Sequence, residues 1–225
     1  MSVPTIVSIQ IGQVQRLEYE SPADGRPRSW TTAFFKQPVD GSVIVGPLGL
    51  AGDAQADRKH HGGPDKAILA YAAAHYPQWQ EEWGIANLAP GAMGENLTLA
   101  SLDETNVCVG DRWRVGDVVL EVSQPRQPCW KMGRRWQRPE LPKRVIQTGR
   151  TGWYFRVLQT GELHAGMPLE LLDRPYPEWT VSRANAVMYE RPGQRALLEE
   201  LANVPPLSHA WREELLDRLA SLPLD

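Results

Sequence analysis

The sequence predicts a mainly β domain, a barrel or sandwich with a few helices, followed by a small bundle of three short helices. Short alternating or β-branched runs, punctuated by Gly, Pro and Asp, fill the first three quarters, which is how a strand-rich domain reads. Near residue 175 the texture changes to helical spacing. A chain of 225 residues that is 42% hydrophobic can bury a proper core in one large domain plus an appendage.

In chain order, the strand-like runs are PTIVSIQIG, GSVIVGPLG, DRWRVGDVVLEVS, GWYFRVLQTG and MPLELLD. One helix is expected among them. Pro64 suits a first helical turn, Ile68, Tyr71 and His75 recur three to four apart in DKAILAYAAAHYPQWQEEW, and Gly84 suits the end. Pro77 predicts a kink or division of that helix. RPYPEW reads as a proline-bearing linker, and TVSRANAVMYE, GQRALLEELAN and LSHAWREELLDRLAS read as the three tail helices. The expected division is residues 1–175 for the β domain and 176–225 for the helical extension.

A net charge of -3 excludes a protein that is basic all over, so no nucleic-acid polymer is an expected partner. The N-terminus has no basic region followed by an apolar core and cleavage site, and no run approaches the roughly 20 apolar residues of a membrane span. The cytoplasm is the expected location. Two cysteines, Cys108 and Cys129, are too few for a disulfide framework and too far apart for a paired-cysteine motif. A special cysteine must act alone.

Four stretches hold candidate chemistry. In GLAGDAQADRKHHGGPDKA, Gly62 and Gly63 let the backbone turn sharply and aim N–H groups at an anion, and the expected helix adds positive potential. The spacing is neither that of a Walker loop nor of a dinucleotide fingerprint, and His60 and His61 have no third ligand at zinc spacing. A phosphate cradle and a glycine turn with a capping histidine both fit. In GAMGENLTL, Glu95 and Asn96 offer a carboxylate and an amide that can read a heterocycle edge, or form the tip of a β-turn.

In SQPRQPCWK, Pro125 and Pro128 stiffen the backbone and predict a non-helical segment for Cys129. Arg126 and Lys131 flank it, and nearby cations favour the thiolate, the form that binds metal or attacks an electrophile. A buried packing residue, a nucleophile paired with His60 or His61, and a metal ligand all stay open. Cys108 reads as a core residue. In QTGRTGWYFRV, Arg150 stands in a small cationic loop; with Arg126, Lys66 and Arg58 it would suit a phosphate-bearing anion, or simply a solvated turn.

Taken in order, LGLAGDAQADRKHHGGPDKA, GAMGENL, VGDRWRVGDVVLEVSQPRQPCWKM and GRTGWYFRV resemble the MOSC domain (molybdenum cofactor sulfurase C-terminal), specifically its bacterial YiiM-type group. The resemblance covers most of residues 30–172, and the tail resembles the three-helix extension of that group. Met93 departs from the usual Phe of GxFGEN and is expected to alter packing beside the pocket. Met167, where an acidic residue is common, is expected to touch only a turn.

The resemblance implies a β-barrel-like domain binding the molybdenum cofactor, a pterin dithiolene with a terminal phosphate. It implies Cys129 as a thiolate ligand to molybdenum, in keeping with the taste of soft metals for sulfur. Gly62, Gly63, Lys66, Arg126 and Arg150 are the expected contacts to pterin or phosphate, Glu95 and Asn96 to pterin or substrate, and His61 a hydrogen-bonding or proton-relaying group. The implied activity is reduction of N-hydroxylated compounds (hydroxylated purine bases, hydroxylamines and amidoximes) by oxygen-atom removal, a detoxification that confers resistance to 6-hydroxylaminopurine. Without an iron–sulfur cysteine set or a flavin or nicotinamide fingerprint, the electrons should come from a separate flavoprotein or iron–sulfur protein. The rival expectation is a non-redox carrier of the cofactor, or of sulfur as a Cys129 persulfide.

Overall fold

The computed structural model describes residues 2–20, 27–57, 61–85, 88–189 and 194–222. Its strands are β1 (Thr5–Ile11), β2 (Gln15–Glu20), β3 (Pro27–Thr32), β4 (Gln37–Pro38), β5 (Val43–Gly46), β6 (Gly49–Leu50), β7 (Ile68–Ala72), β8 (Leu97–Ala100), β9 (Arg112–Val115), β10 (Val118–Pro125), β11 (Trp153–Gln159), β12 (Gly161–Leu163) and β13 (Glu170–Asp173). The helices are α1 (His75–Trp83), α2 (Trp130–Trp136), α3 (Leu141–Thr148), α4 (Val181–Tyr189), α5 (Arg195–Ala202) and α6 (His209–Ser221).

Eight strands form one large curled sheet, a half-barrel in the order β13-β9-β10-β11-β7-β8-β1-β4. Three short strands, β12-β5-β6, make a second sheet, and β2 and β3 a separate hairpin. Within the large sheet β7 and β8 pair in parallel and the other neighbours are antiparallel. A parallel pair requires a crossover, and α1 with the glycine loop after it supplies one.

The helix expected from Pro64 is therefore corrected. Pro64–Lys66 make a single 3-10 turn, and Ile68–Ala72 form a central strand whose five residues are all buried. Such a run is apolar on both faces because the curled sheet is covered on both, and this hides the two-residue alternation that marks a half-buried strand. The true helix starts at His75. Pro77 lies in its first turn, where the N–H has no intrahelical partner, so the helix runs on to Trp83 without division.

Antiparallel partners point to the same face of a sheet. Ile68, Ala70, Trp153 and Phe155 face the half-barrel core with Ile6, Leu97 and Val122. Leu69 and Tyr154, paired across β7 and β11, face the other way. On that outer face Tyr71, Trp79, Met132, Leu141 and Val145 join a cluster that fastens α1, α2 and α3 to the sheet. Met93 sits fully buried in the same cluster as Phe34, which lines the cleft described below. Met167 does more than touch a turn: it also packs against the half-barrel core.

The three tail helices have their own core around Trp179, Met188, Leu201 and Trp211, and Ser208 caps α6 by accepting from the N–H of Trp211. RPYPEW is no loose linker, since Trp179 is buried and Thr180 bridges to Cys108. The tail is bolted to β10 and to the turn after Gly63. Ser208 N–H donates to Ser123 O at 2.9 Å, its Oγ to Gln124 Oε1 at 2.7 Å, and His209 N–H to Asp65 Oδ2 at 3.2 Å.

Candidate active site

The outward row of Leu69 and Tyr154 floors a cleft of ≈ 610 Å³. Its walls come from residues 53–57, from His61, Gly62 and Lys66, from the glycine loop before β8, from Phe34 after the hairpin, and from the segment between β10 and α2. Of the expected site residues, His61, Gly62, Lys66, Asn96, Arg126 and Cys129 line it together. His60 and Arg58 lie outside the described residues.

The position of Cys129 follows from its neighbours. Pro125 ends β10 opposite Trp153, and Arg126 N–H still donates to Gly152 O at 3.0 Å. Cys129 then takes an extended conformation and accepts from Met132 N–H at 3.3 Å, while Met132 anchors α2 in the outer cluster. The stiff, non-helical setting expected for this thiol is present, and it is half-buried at the cleft. Cys108, by contrast, is buried, with its thiol pushed up to about 11 by desolvation and then by Asp111.

Arg126 is only 4% exposed, held near the Phe34 ring (5.8 Å to the centroid), and its buried Nη1 has no hydrogen-bond partner among the described residues. Such a donor costs a fold about 1–3 kcal/mol. Gly62 and Gly63 both adopt positive φ (116° and 83°), so the sharp turn expected there exists. The helix dipole expected behind it does not, because only a 3-10 turn follows. Gly63 stands one step behind the lining.

His61 reports the local field. Its pKa is lowered to about 4, first by desolvation and then by Arg126, Lys131 and Lys66. Burial also lowers Lys66, while Asp65 opposes that shift. Three cations converge on the neighbourhood of one thiol.

Two expected contacts, Glu95 and Arg150, are corrected by placement, and the role of Asn96 is narrowed. Glu95 is fully buried beneath the cleft and accepts from Tyr76 Oη, from Gly91 N–H at 2.7 Å, from Met93 N–H at 3.2 Å and from Thr98 Oγ1 at 2.8 Å. It closes the glycine loop and is not on the cleft surface. Asn96 is on the wall, but its Nδ2 donates to Gln10 O (3.2 Å) and Asp53 Oδ2 (2.9 Å) and its Oδ1 accepts from Leu69 N–H (3.1 Å). Both its N–H donors are used, so paired reading of a heterocycle is not open to it. Arg150 does not reach the cleft: it pairs with Glu82 of α1 at 2.7 Å and lies 4.4 Å over Trp79.

The cleft also holds residues the sequence motifs left without a role. Lys36 Nζ donates to Asp53 Oδ1 and Oδ2 (2.6 and 2.7 Å), and Asp53 also accepts from Gly12 N–H at 2.7 Å. The Lys36 pKa is lowered by burial, with Asp53 opposing. Tyr154, its hydroxyl pushed up to about 12 mainly by burial, completes the floor. Asp53 could have been suspected from its place in the first glycine motif; nothing near Lys36 in the chain signals it.

Among the described residues no group of three or more His, Cys, Asp or Glu side chains could hold a metal ion. Nor is any helix of the described residues long and apolar enough to cross a membrane.

Comparison with known proteins matches this architecture. Residues 57–170 match the model of the MOSC domain and residues 179–222 that of the YiiM-like 3-alpha helix domain. The chain is 40% identical to the protein YflK of Bacillus subtilis (98% of this chain, 97% of that one). It is 39% identical to a protein of Gibberella moniliformis named reductase, over 86% of this chain but 35% of that longer one. The crystal structure of YiiM from Geobacillus stearothermophilus superposes with a TM-score of 0.79 at 38% identity, covering 96% of this chain and 99% of that one. On sequence, fold and the helical tail together, the chain belongs to the MOSC family, in its YiiM-like branch.

Proposed function

We propose that the protein is a molybdenum-cofactor-dependent reductase of small N-hydroxylated compounds, acting in the cytoplasm, with Cys129 as its thiolate ligand to the metal. The observation that carries this reading is the half-buried Cys129 in a cleft where the buried Arg126 leaves Nη1 without a partner among the described residues. A pterin dithiolene with a terminal phosphate is anionic and brings its own sulfur ligands. A single protein thiol among Lys66, Arg126 and Lys131 suits such a group.

When bound, the cofactor supplies the two-electron chemistry that removes the N-bound oxygen. The chain's part is to hold and orient. Cys129 fixes the metal end, while Arg126 and Lys66 hold the phosphate or pterin and the Gly62–Gly63 turn lets backbone come close. Phe34, Leu69 and Tyr154 give the cleft an apolar floor that keeps water away. His61, kept neutral by burial and then by its cationic neighbours, lines the cleft as an uncharged imidazole. With a pKa of about 4 it is a poor general base. The relative named reductase supports the redox reading.

The test is turnover of an amidoxime by protein made in a cofactor-competent host, with an artificial reductant, alongside an assay for labile sulfane sulfur. The reading expects turnover that Cys129→Ala abolishes. Labile sulfur on Cys129 without turnover would instead mark a sulfur carrier.

A further inference from the structure

The chain's charge is unevenly placed. Residues 126–150 hold eight of the 24 Lys and Arg and one of the 27 Asp and Glu, Glu140, in a chain of net charge -3. This segment starts at the cleft, runs through α2 and ends after α3. Three of its cations turn inward: Arg126 to the cleft, Arg135 onto the Phe35 ring at 4.4 Å, and Arg150 to Glu82. The other five follow one another along the chain as a track. Lys131 stands on the cleft rim and Arg134 follows, 3.7 Å over the Tyr19 ring. Arg138, Lys143 and Arg144 then line a separate open groove of ≈ 930 Å³ between α1 and α3.

Among the described residues, two acids pair with these five. Glu82 pairs with Arg144 at 3.2 Å and Glu140 with Arg138 at 3.7 Å, and Glu82 is already shared with Arg150. Ion pairs this exposed cancel little of the field felt by an approaching body. At the head of the track Trp130, next to Cys129, leaves 55% of its surface exposed, its ring 5.6 Å from that of Trp30. An exposed tryptophan and arginine are among the residues enriched at protein docking surfaces.

We infer that the face from Trp130 to Arg144 docks the acidic surface of the electron-donor protein, bringing its redox centre to the mouth of the cleft beside Cys129. This rests on the reductase reading, since only a redox reaction gives an acidic carrier a reason to dock next to that thiol. Charge complementarity fixes orientation and speeds encounter, and it weakens with salt.

The test uses the cofactor-loaded protein and two electron sources for the same amidoxime. One is reduced methyl viologen; the other is an acidic ferredoxin or flavodoxin kept reduced by NADPH and its reductase. Wild-type turnover with the acidic carrier should fall steeply with ionic strength. The double variant Lys143→Glu, Arg144→Glu should raise the KM for the carrier about tenfold or more. Its turnover with methyl viologen should match wild type, which also shows that it is folded and loaded.

Methyl viologen turnover without any from the carriers, or an unchanged carrier KM in the variant, overturns the docking surface while leaving the reductase reading intact. A salt-sensitive dimer in sedimentation that the variant abolishes, with carrier kinetics unaltered, assigns the surface to a second copy and also overturns it. No turnover with methyl viologen overturns the reductase reading, and the docking proposal with it.

Discussion

The glycine loop beneath the cleft and the rim around Cys129 are written in similar residues, yet their polar groups end up in opposite states. In the loop, Glu95 is fully buried and four donors answer it, while Asn96 spends both amide hydrogens on protein oxygens. At the rim, Arg126 is almost as deeply buried, but Nη1 finds no partner among the described residues. A closed network specifies the local fold. A buried donor left open beside a cleft costs stability and leaves a hydrogen bond to be made there.

The sharpest way to break this comparison is at the rim. Cys129→Ala should bring amidoxime turnover to background while moving stability by no more than about 0.5 kcal/mol, as for a side chain outside the core clusters. Equal losses of activity and folding would place Cys129 with the loop.

On the loop side, Glu95→Gln should cost about 2–4 kcal/mol in urea unfolding, because an amide cannot accept from all four donors and turns its own hydrogens toward some of them. An unchanged midpoint would mean that the loop does not depend on this carboxylate.

His61 sharpens the comparison through pH. Its folded value of about 4 lies below the ordinary 6.5, so between these values the unfolded chain takes up a proton that the folded protein resists. Stability from this group is present above about pH 6.5 and is lost as pH falls toward 4, by up to about 3 kcal/mol. His61→Asn should flatten that part of the urea midpoint against pH, and an unaltered profile would deny that burial and the rim cations hold His61 neutral. The smallest effect belongs to Cys108→Ala, with turnover unchanged and a stability loss of about 1 kcal/mol for the buried sulfur.

The sequence already carried the β character of the first three quarters, the three tail helices and the extended setting of Cys129. Turn residues and local periodicity encode these within a few positions. It misled at Pro64, where Ile68–Ala72 is apolar throughout and periodicity cannot tell a fully covered strand from a helix. It was silent on Tyr154, Lys36 and the closure around Glu95. Leu69 and Tyr154 are 85 positions apart and meet only through the register of β7 with β11, and Lys36 meets Asp53 only through the folding of a loop. Arg150 looked like Arg126 in the chain, but the Trp79 ring and Glu82 hold it elsewhere. Motif chemistry was therefore legible, and the facing of each side chain was not.

The central claim is that Cys129 ligates a molybdenum centre held in this cleft. X-ray absorption at the molybdenum edge, on wild type and on Cys129→Ser loaded in the same cofactor-competent host, tests it most directly. The account predicts about one molybdenum per wild-type chain and one sulfur neighbour fewer around the metal in the variant. An identical metal environment in both proteins, or a wild type that binds no molybdenum, would contradict it.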